Sequence, residues 1–128
     1  MILDTSVLVE LLRGSPDSDT VKRILSAIDD QPRSISMVQL AELEDCAIKY
    51  SLPSDDALEM VLRLATVVPL SPEIARVAAR IKRERRLAGH RKFGLMDGII
   101  LATARAYGER LLSLDPDFSD LKDATVLN

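Results

Sequence analysis

Four carboxylates in this sequence lie next to or within apolar segments and could take part in chemistry: Asp4, Glu42, Asp97 and Asp115. Asp4 and Asp115 each follow a short apolar run, Glu42 lies within an apolar helical stretch, and Asp97 opens another one. A carboxylate among apolar neighbours is costly to bury unless something compensates its charge. Oxygen ligands of this kind are those that Mg²⁺ and Mn²⁺ take. If the four converge, they predict a divalent cation that activates water and polarises a phosphate.

Each acid also has a purely structural explanation. Asp4 could cap the helix that follows it, Asp97 would favour the dipole of its own helix, and Asp115–Asp117 has an ordinary turn composition. A helical Glu such as Glu42 is usually solvated. We prefer the metal hypothesis because four independent coincidences would have to fall at one place.

Apolar strands alternate with helical stretches along the chain. Strands are predicted at residues 1–3, 34–36, 66–70, 111–114 and 125–127, and helices at 7–13, after 16, at 38–49, from 53, from 71 and at 95–107. Strands without polar alternation are typical of a parallel sheet covered on both faces. The sequence therefore predicts an α/β fold, a three-layer α/β/α sandwich around a short parallel sheet, with residues 1–128 as a single domain. The strand order stays open.

The predicted fold places the acids together. Ligands of open α/β sheets bind beyond the carboxyl ends of the strands. Asp4 and Asp115 follow two such ends, and the helix opened by Asp97 begins on the same side because it leads down into the next strand. The carboxyl edge of the sheet is therefore the expected metal site.

Composition excludes several other kinds of site. Cys46 is the only cysteine and His90 the only histidine among 128 residues, which excludes an internal disulfide and a Cys-based zinc site. Aromatic residues make up 3%, too few for a base-stacking platform. No apolar run has the length of a membrane span, and Asp4 stands where a signal peptide would be basic and then apolar. The expected compartment is the cytoplasm.

The charge distribution is uneven. Residues 82–92 hold six basic side chains against one acid, whereas the rest of the chain holds 11 basic and 19 acidic residues. Such a segment can be a solvated helix face, or it can position a nucleic-acid backbone through its phosphates. Because it ends shortly before Asp97, we expect RNA contacts from Arg85, Arg86, Arg91 and Lys92.

The acids stand in motifs that resemble those of the PIN-domain family, in particular its small VapC-type toxin ribonucleases. The motifs are MILDTSVL at 1–8, ISMVQLAEL at 35–43, LMDGIILATA at 95–104 and LLSLDPDF at 111–118. The resemblance covers the whole chain in order. It implies a PIN-like fold, one or two Mg²⁺ or Mn²⁺ ions, endonuclease activity on RNA, a homodimer, and a cognate antitoxin whose C-terminal tail lies near the active site.

The resemblance also implies roles for single residues. Asp4, Asp97 and Asp115 would ligate the metal, with Glu42 binding directly or through water. The residues expected to orient these carboxylates or water are Ser6, Ser36, Ser113 and Asp117. Asp117 competes with Asp115, and Glu44 with Glu42. Ser113 stands where the family often has Thr, and Gly98 stands where it often has Ala.

Two other functions and one surface remain to be weighed. A receiver-like Mg²⁺-binding signalling domain would need paired acids after the first strand and a Lys after a late one, whereas Thr5 follows Asp4 and no Lys follows the fourth strand. A PIN fold kept only as a binding module would not need four acids. The apolar surplus of the helices at 21–28 and 58–64 predicts either a dimer contact or a seat for an antitoxin helix.

Overall fold

The structure, a computed structural model, describes residues 1–127. Within this range a parallel sheet is formed by β1 (Ile2–Leu3), β2 (Ser34–Ser36), β3 (Thr66–Val68), β4 (Leu111–Ser113) and β5 (Ala124–Val126). The strand order is β3-β2-β1-β4-β5. Ile2 of β1 pairs with Ser34 on one side and with Leu111 on the other, so β1 lies at the centre of the sheet.

Helices cover both faces of the sheet. They are α1 (Thr5–Arg13), α2 (Asp19–Ile28), α3 (Val38–Lys49), α4 (Ser54–Leu64), α5 (Pro72–Leu87) and α6 (Leu95–Ala106). Ile2 and Leu111 pack with buried residues of α5 and α6, whereas Leu3 and Leu112 pack with buried residues of α1 to α4. Successive strand residues point to opposite faces, so the two neighbouring residues in each of β1 and β4 contribute to two separate cores. The predicted α/β/α sandwich is confirmed.

Local signals account for the helix starts. Ser18 and Ser71 occupy N-cap positions, and each side chain accepts a hydrogen bond from a backbone N–H three residues on. Pro72 is the first residue of α5, where its missing N–H costs nothing.

The observed strand ends differ from the predicted ones by no more than two residues. The third strand ends at Val68 rather than residue 70, the fourth at Ser113 rather than 114, and the last spans Ala124–Val126. After Asp115 the chain forms a short 3₁₀ turn over Pro116–Phe118 that the sequence analysis treated only as a turn.

Gly98 allows α5 and α6 to pack closely. A Cβ atom at this position would lie 2.5 Å from the backbone oxygen of Ala78. Such a contact is too short for any side chain, so the close approach of α5 explains the glycine. Among the helices formed by residues 1–127, none has the length and apolar character needed to cross a membrane.

Candidate metal centre

Asp4 lies at the carboxyl end of β1 and is 4% exposed. Its backbone N–H donates to the Leu112 carbonyl at 2.9 Å, which fixes it beside β4. It occupies the N-cap position of α1, but its side chain makes no capping hydrogen bond. Its Oδ2 instead accepts from the hydroxyls of Ser6 at 2.5 Å and Ser113 at 2.7 Å. Burial raises the pKa of this carboxyl, and the two serine hydroxyls oppose that shift.

The same two hydroxyls also hold the segment that follows β4. Ser6 Oγ accepts from the Leu114 N–H at 3.0 Å, and Ser113 Oγ accepts from the Asp115 N–H at 2.9 Å. Each serine therefore donates to Asp4 and accepts from the chain around Asp115. A hydroxyl that is used as both donor and acceptor has a fixed orientation, so Ser6 and Ser113 hold the Asp4 carboxylate in one orientation.

Ser36 differs from the other two serines. It is buried at the end of β2, yet its Oγ finds no hydrogen-bond partner among the described residues. It therefore orients none of the four carboxylates in this structure.

Glu42 is held by two residues that sequence reasoning missed as site residues. Its Oε1 accepts from the Thr5 hydroxyl at 2.8 Å, and Thr5 Oγ1 accepts from the Gln39 amide at 3.3 Å. Gln39 is fully buried; it donates to the Leu3 carbonyl and accepts from the Ser36 N–H, both at 2.8 Å. Gln39 thus links α3 to β1 and β2. Its spacing from Leu43 and Cys46, on the buried face of α3, was the signal available in the sequence.

Asp97 lies in the first turn of α6, and its Oδ2 accepts from the Gly94 N–H at 2.7 Å. Burial raises the pKa of the Asp97 carboxyl to about 6, and repulsion from Asp4, Asp115 and Glu42 adds to the shift. Glu42 likewise has a raised pKa, mainly through burial and partly through Asp4. Asp97 therefore lies within electrostatic reach of the other three carboxylates.

The donor set fits a divalent cation. None of the salt bridges formed within residues 1–127 involves these four acids, so their repulsion has no side-chain cation to offset it. Across the described part of the chain, however, no three acidic, histidine or cysteine side chains form a ready-made ligand group. Asp4 accepts hydrogen bonds from Ser6 and Ser113, and Asp97 accepts one from Gly94. The chemistry of the donors fits Mg²⁺ or Mn²⁺, and these hydrogen bonds use Oδ2 of each aspartate, so Oδ1 could bind the cation.

Asp115 and Asp117 have different surroundings. Asp115 Oδ1 accepts from the Asp117 N–H at 2.9 Å, while Coulomb repulsion couples Asp115 to Asp4 and Asp97. Asp117 Oδ1 instead lies 3.1 Å from Nδ1 of His90. This favours Asp115 as the ligand. Glu44 is exposed, whereas Glu42 is partly buried against Thr5.

The basic segment divides into two groups. Arg86, Arg91 and Lys92 are exposed, and Arg86 Nε donates to the Phe93 carbonyl at 2.7 Å. Arg85 is 8% exposed, and its two terminal nitrogens donate to the Asp120 carboxylate at 2.8 and 2.7 Å. Arg85 thus differs from the other three cations expected to contact RNA, because its guanidinium is buried and already paired with Asp120.

An apolar groove lies away from the acids, between α1, α2 and α4. Its volume is about 430 Å³, and its apolar lining includes Leu11, Val21, Leu25, Met60 and Leu64. Leu25 is half exposed there, and Leu62 of α4 is half exposed as well. The two apolar helices singled out in the sequence thus leave part of their apolar surface uncovered within the described chain.

Comparison with known proteins adds independent information. The family model described as "PIN domain" matches residues 1–124. The fold is similar to a toxin–antitoxin complex from Klebsiella pneumoniae (24% identity, 98% of this chain and 95% of that chain, TM-score 0.75). It is also similar to VapBC2 from Rickettsia felis bound to a promoter DNA fragment (20%, 99% and 96%, 0.74). A third similar structure is Mycobacterium tuberculosis VapC20, a sarcin–ricin loop cleaving toxin (22%, 99% and 98%, 0.75). No curated protein matches the sequence.

Proposed function

The chain belongs to the PIN domain family, and from this membership we propose that it is a metal-dependent endoribonuclease and the toxin of a toxin–antitoxin pair. The main support for the proposal is that Asp4, Glu42, Asp97 and Asp115 belong to elements that meet at the carboxyl edge of the sheet, where repulsion among the acids helps to raise the pKa of the first three. None of the salt bridges within residues 1–127 balances these charges. An enzyme that cleaves phosphodiesters through a bound cation needs such a set of oxygen donors.

The roles of the residues follow from their contacts. Asp4, Asp97 and Asp115 would hold Mg²⁺ or Mn²⁺, and Glu42 would bind it directly or through water. When bound, the cation would lower the pKa of a water molecule and stabilise charge on the scissile phosphate. Ser6 and Ser113 hold Asp4 in place by donating to its Oδ2, and Thr5 holds Glu42 in the same way. Partners of ligands commonly fix ligand orientation in metal sites.

RNA is the proposed substrate, for two reasons. The solved structure of VapC20, with which this chain shares its fold, is described as that of a toxin cleaving the sarcin–ricin loop. The exposed cations Arg86, Arg91 and Lys92 lie on the chain just before α6, which carries Asp97. Phosphate contacts of these side chains would position an RNA backbone beside the acids without reading its sequence.

The groove between α1, α2 and α4 supports a protein partner. One of the similar structures is a toxin–antitoxin complex, and a groove with an apolar lining fits the apolar face of a helix. We propose that a cognate antitoxin helix docks there and that the toxin is a homodimer. Light scattering should then give twice the mass of one chain, and Leu25→Glu should abolish antitoxin binding while RNA cleavage continues.

The test of the function is cleavage of RNA by the purified protein. Single-stranded RNA should be cut at internal positions with Mg²⁺ or Mn²⁺ and left intact with EDTA, and DNA of the same sequence should serve as the substrate control. Induced expression in a bacterial host without antitoxin should arrest growth, and Asp97→Asn should relieve the arrest. If the RNA stays intact under all metal conditions, the proposed nuclease function is wrong and the alternative, a PIN fold kept only as a binding module, is favoured.

A further inference from the structure

Arg85 is buried although it belongs to the most basic segment of the chain. It lies in the last turn of α5, where the buried residues Ile74, Ala78 and Ile81 continue at helical spacing to position 85. Its guanidinium therefore faces inward, toward the turn that follows Asp115. Burying an arginine is costly, and its Nε has no protein partner within residues 1–127. The placement thus calls for an explanation other than solvation of a helix.

The guanidinium holds two points of the turn after β4. Both terminal nitrogens donate to the Asp120 carboxylate, at 2.8 and 2.7 Å, and Nη2 also donates to the Asp117 carbonyl. The N–H of Asp117 in turn donates to Asp115 Oδ1 at 2.9 Å. One residue, Asp117, is therefore held by Arg85 through its carbonyl while its amide N–H holds the side chain of Asp115.

Aromatic packing also holds the Arg85 guanidinium in place. The Arg85 guanidinium lies 5.5 Å from the centre of the Phe93 ring, and Phe93 packs edge-to-face on Phe118 with centroids 5.6 Å apart. Phe118 is the last residue of the 3₁₀ turn and is fully buried. The guanidinium plane is thus set by α5, by the loop before α6 and by the turn.

We propose that Arg85 is a positioning residue, which aims Asp115 at the cation by clamping the Asp117 carbonyl and the Asp120 carboxylate in one guanidinium fork. The inference rests on the proposed function, because it assigns a role toward the same metal. Arg85 touches neither cation nor substrate. Its planar fork is required, since a Lys ammonium in the same place carries the charge without the paired geometry.

Two variants test the clamp. Asp120→Ala removes the acceptor of the fork and leaves the Arg85 guanidinium, whose side chain is 10% exposed, without its carboxylate, so thermal unfolding has to show that this variant folds. Arg85→Lys keeps the positive charge and removes the planar fork. Both should weaken Mn²⁺ binding, measured by calorimetry without RNA, by about tenfold or more, the loss that follows removal of a group supporting a metal ligand.

The matched control is Asp123→Ala. The Asp123 carboxylate accepts from Arg105 Nε at 2.8 Å. The substitution therefore breaks another arginine–aspartate ion pair, which is exposed and lies away from Asp115. It should bind Mn²⁺ like the wild type. Thermal unfolding in EDTA should show that all three variants are folded, which separates positioning from stability.

The outcomes distinguish this inference from the proposed function. If the wild type neither binds Mn²⁺ nor cleaves RNA, the proposed function fails. If the wild type does both, and either folded variant binds Mn²⁺ with wild-type affinity, the positioning role is wrong. Weaker RNA binding with unchanged Mn²⁺ affinity would also overturn it, because it would show that Arg85 contacts phosphate.

Discussion

Ser113 Oγ lies 2.7 Å from Asp4 Oδ2, so the ends of β4 and β1 are joined through a carboxylate. The hydroxyl also accepts from the Asp115 N–H at 2.9 Å. Two of the proposed ligands, more than 100 residues apart in sequence, therefore depend on one buried oxygen. The pairing of β1 with β4 thus brings together two acids that are far apart in the sequence.

The first prediction concerns this oxygen. Ser113→Ala should lower the free energy of unfolding by about 1–3 kcal/mol, because a buried carboxylate and a partly buried N–H each lose a partner. RNA cleavage should fall by about 10–100-fold, as is typical when support for a metal ligand is removed. Denaturant unfolding and cleavage rates measure the two effects. Ser26→Ala, at an exposed position of α2, should change neither; wild-type cleavage by Ser113→Ala would show that the serine has no role in the site.

The second prediction concerns pH. The pKa of Asp97 is raised from 3.8 to about 6, so between these values the folded protein holds a proton that the unfolded chain has released. Without metal, stability should fall as pH rises through this window. Asp4 and Glu42, with raised pKa values, act in the same direction. Asp120, whose pKa is lowered to about 2 by Arg85, acts oppositely but below this window.

Melting temperatures in EDTA across the same pH range measure the effect. Asp97→Asn should flatten the decline, because an amide does not titrate. Added Mg²⁺ should also flatten it, since bound metal favours the ionised carboxylates. A decline of equal steepness in the wild type and in Asp97→Asn would show that another group is responsible.

The third prediction concerns the exposed cations. Arg91→Gln combined with Lys92→Gln should weaken RNA binding and reduce the slope of log K against log salt by roughly 1.4, at about 0.7 for each lost phosphate contact. Mn²⁺ affinity should stay unchanged. The control pair is Lys22→Gln with Arg23→Gln, two exposed cations on α2. An equal loss of slope in both pairs would indicate a general charge effect rather than a positioned contact.

The fourth prediction concerns helix packing. Gly98→Ala should destabilise the protein by about 1–3 kcal/mol, because the new methyl group would meet the Ala78 backbone at 2.5 Å and overpack the contact between α5 and α6. Gly94→Ala is the matched control, since the nearest atom to its Cβ would lie 3.5 Å away in ordinary contact. Equal stability of the two variants would contradict the close approach of the helices.

Much of the site follows from sequence because parallel strands place their carboxyl ends together. Asp4 and Asp115 follow strand ends, so a parallel sheet predicts that they lie at the same edge, whereas their proximity also requires β1 and β4 to be neighbours. The strand order could not be predicted, because it depends on which faces the helices cover. The partner of Arg85 was equally hidden, since Asp120 lies 35 residues away in a loop.

Helix phase explains what the sequence analysis missed. The spacing of Ile74, Ala78 and Ile81 continues to Arg85, which places this arginine on the inner face of α5. Gln39 lies on the buried face of α3 for the same reason. Both were passed over because a charged or amide side chain is expected to face water unless it is paired, and their partners lie on other elements.

The most direct test of the proposed metal site is to measure Mn²⁺ binding to the wild type and to Asp97→Asn. The measurement is made by calorimetry on protein free of RNA. The substitution removes one ligand charge at nearly constant size. We expect Asp97→Asn to stay folded, to bind Mn²⁺ far more weakly and to cleave RNA at a small fraction of the wild-type rate. Wild-type Mn²⁺ affinity together with wild-type cleavage in Asp97→Asn would contradict the proposed metal site.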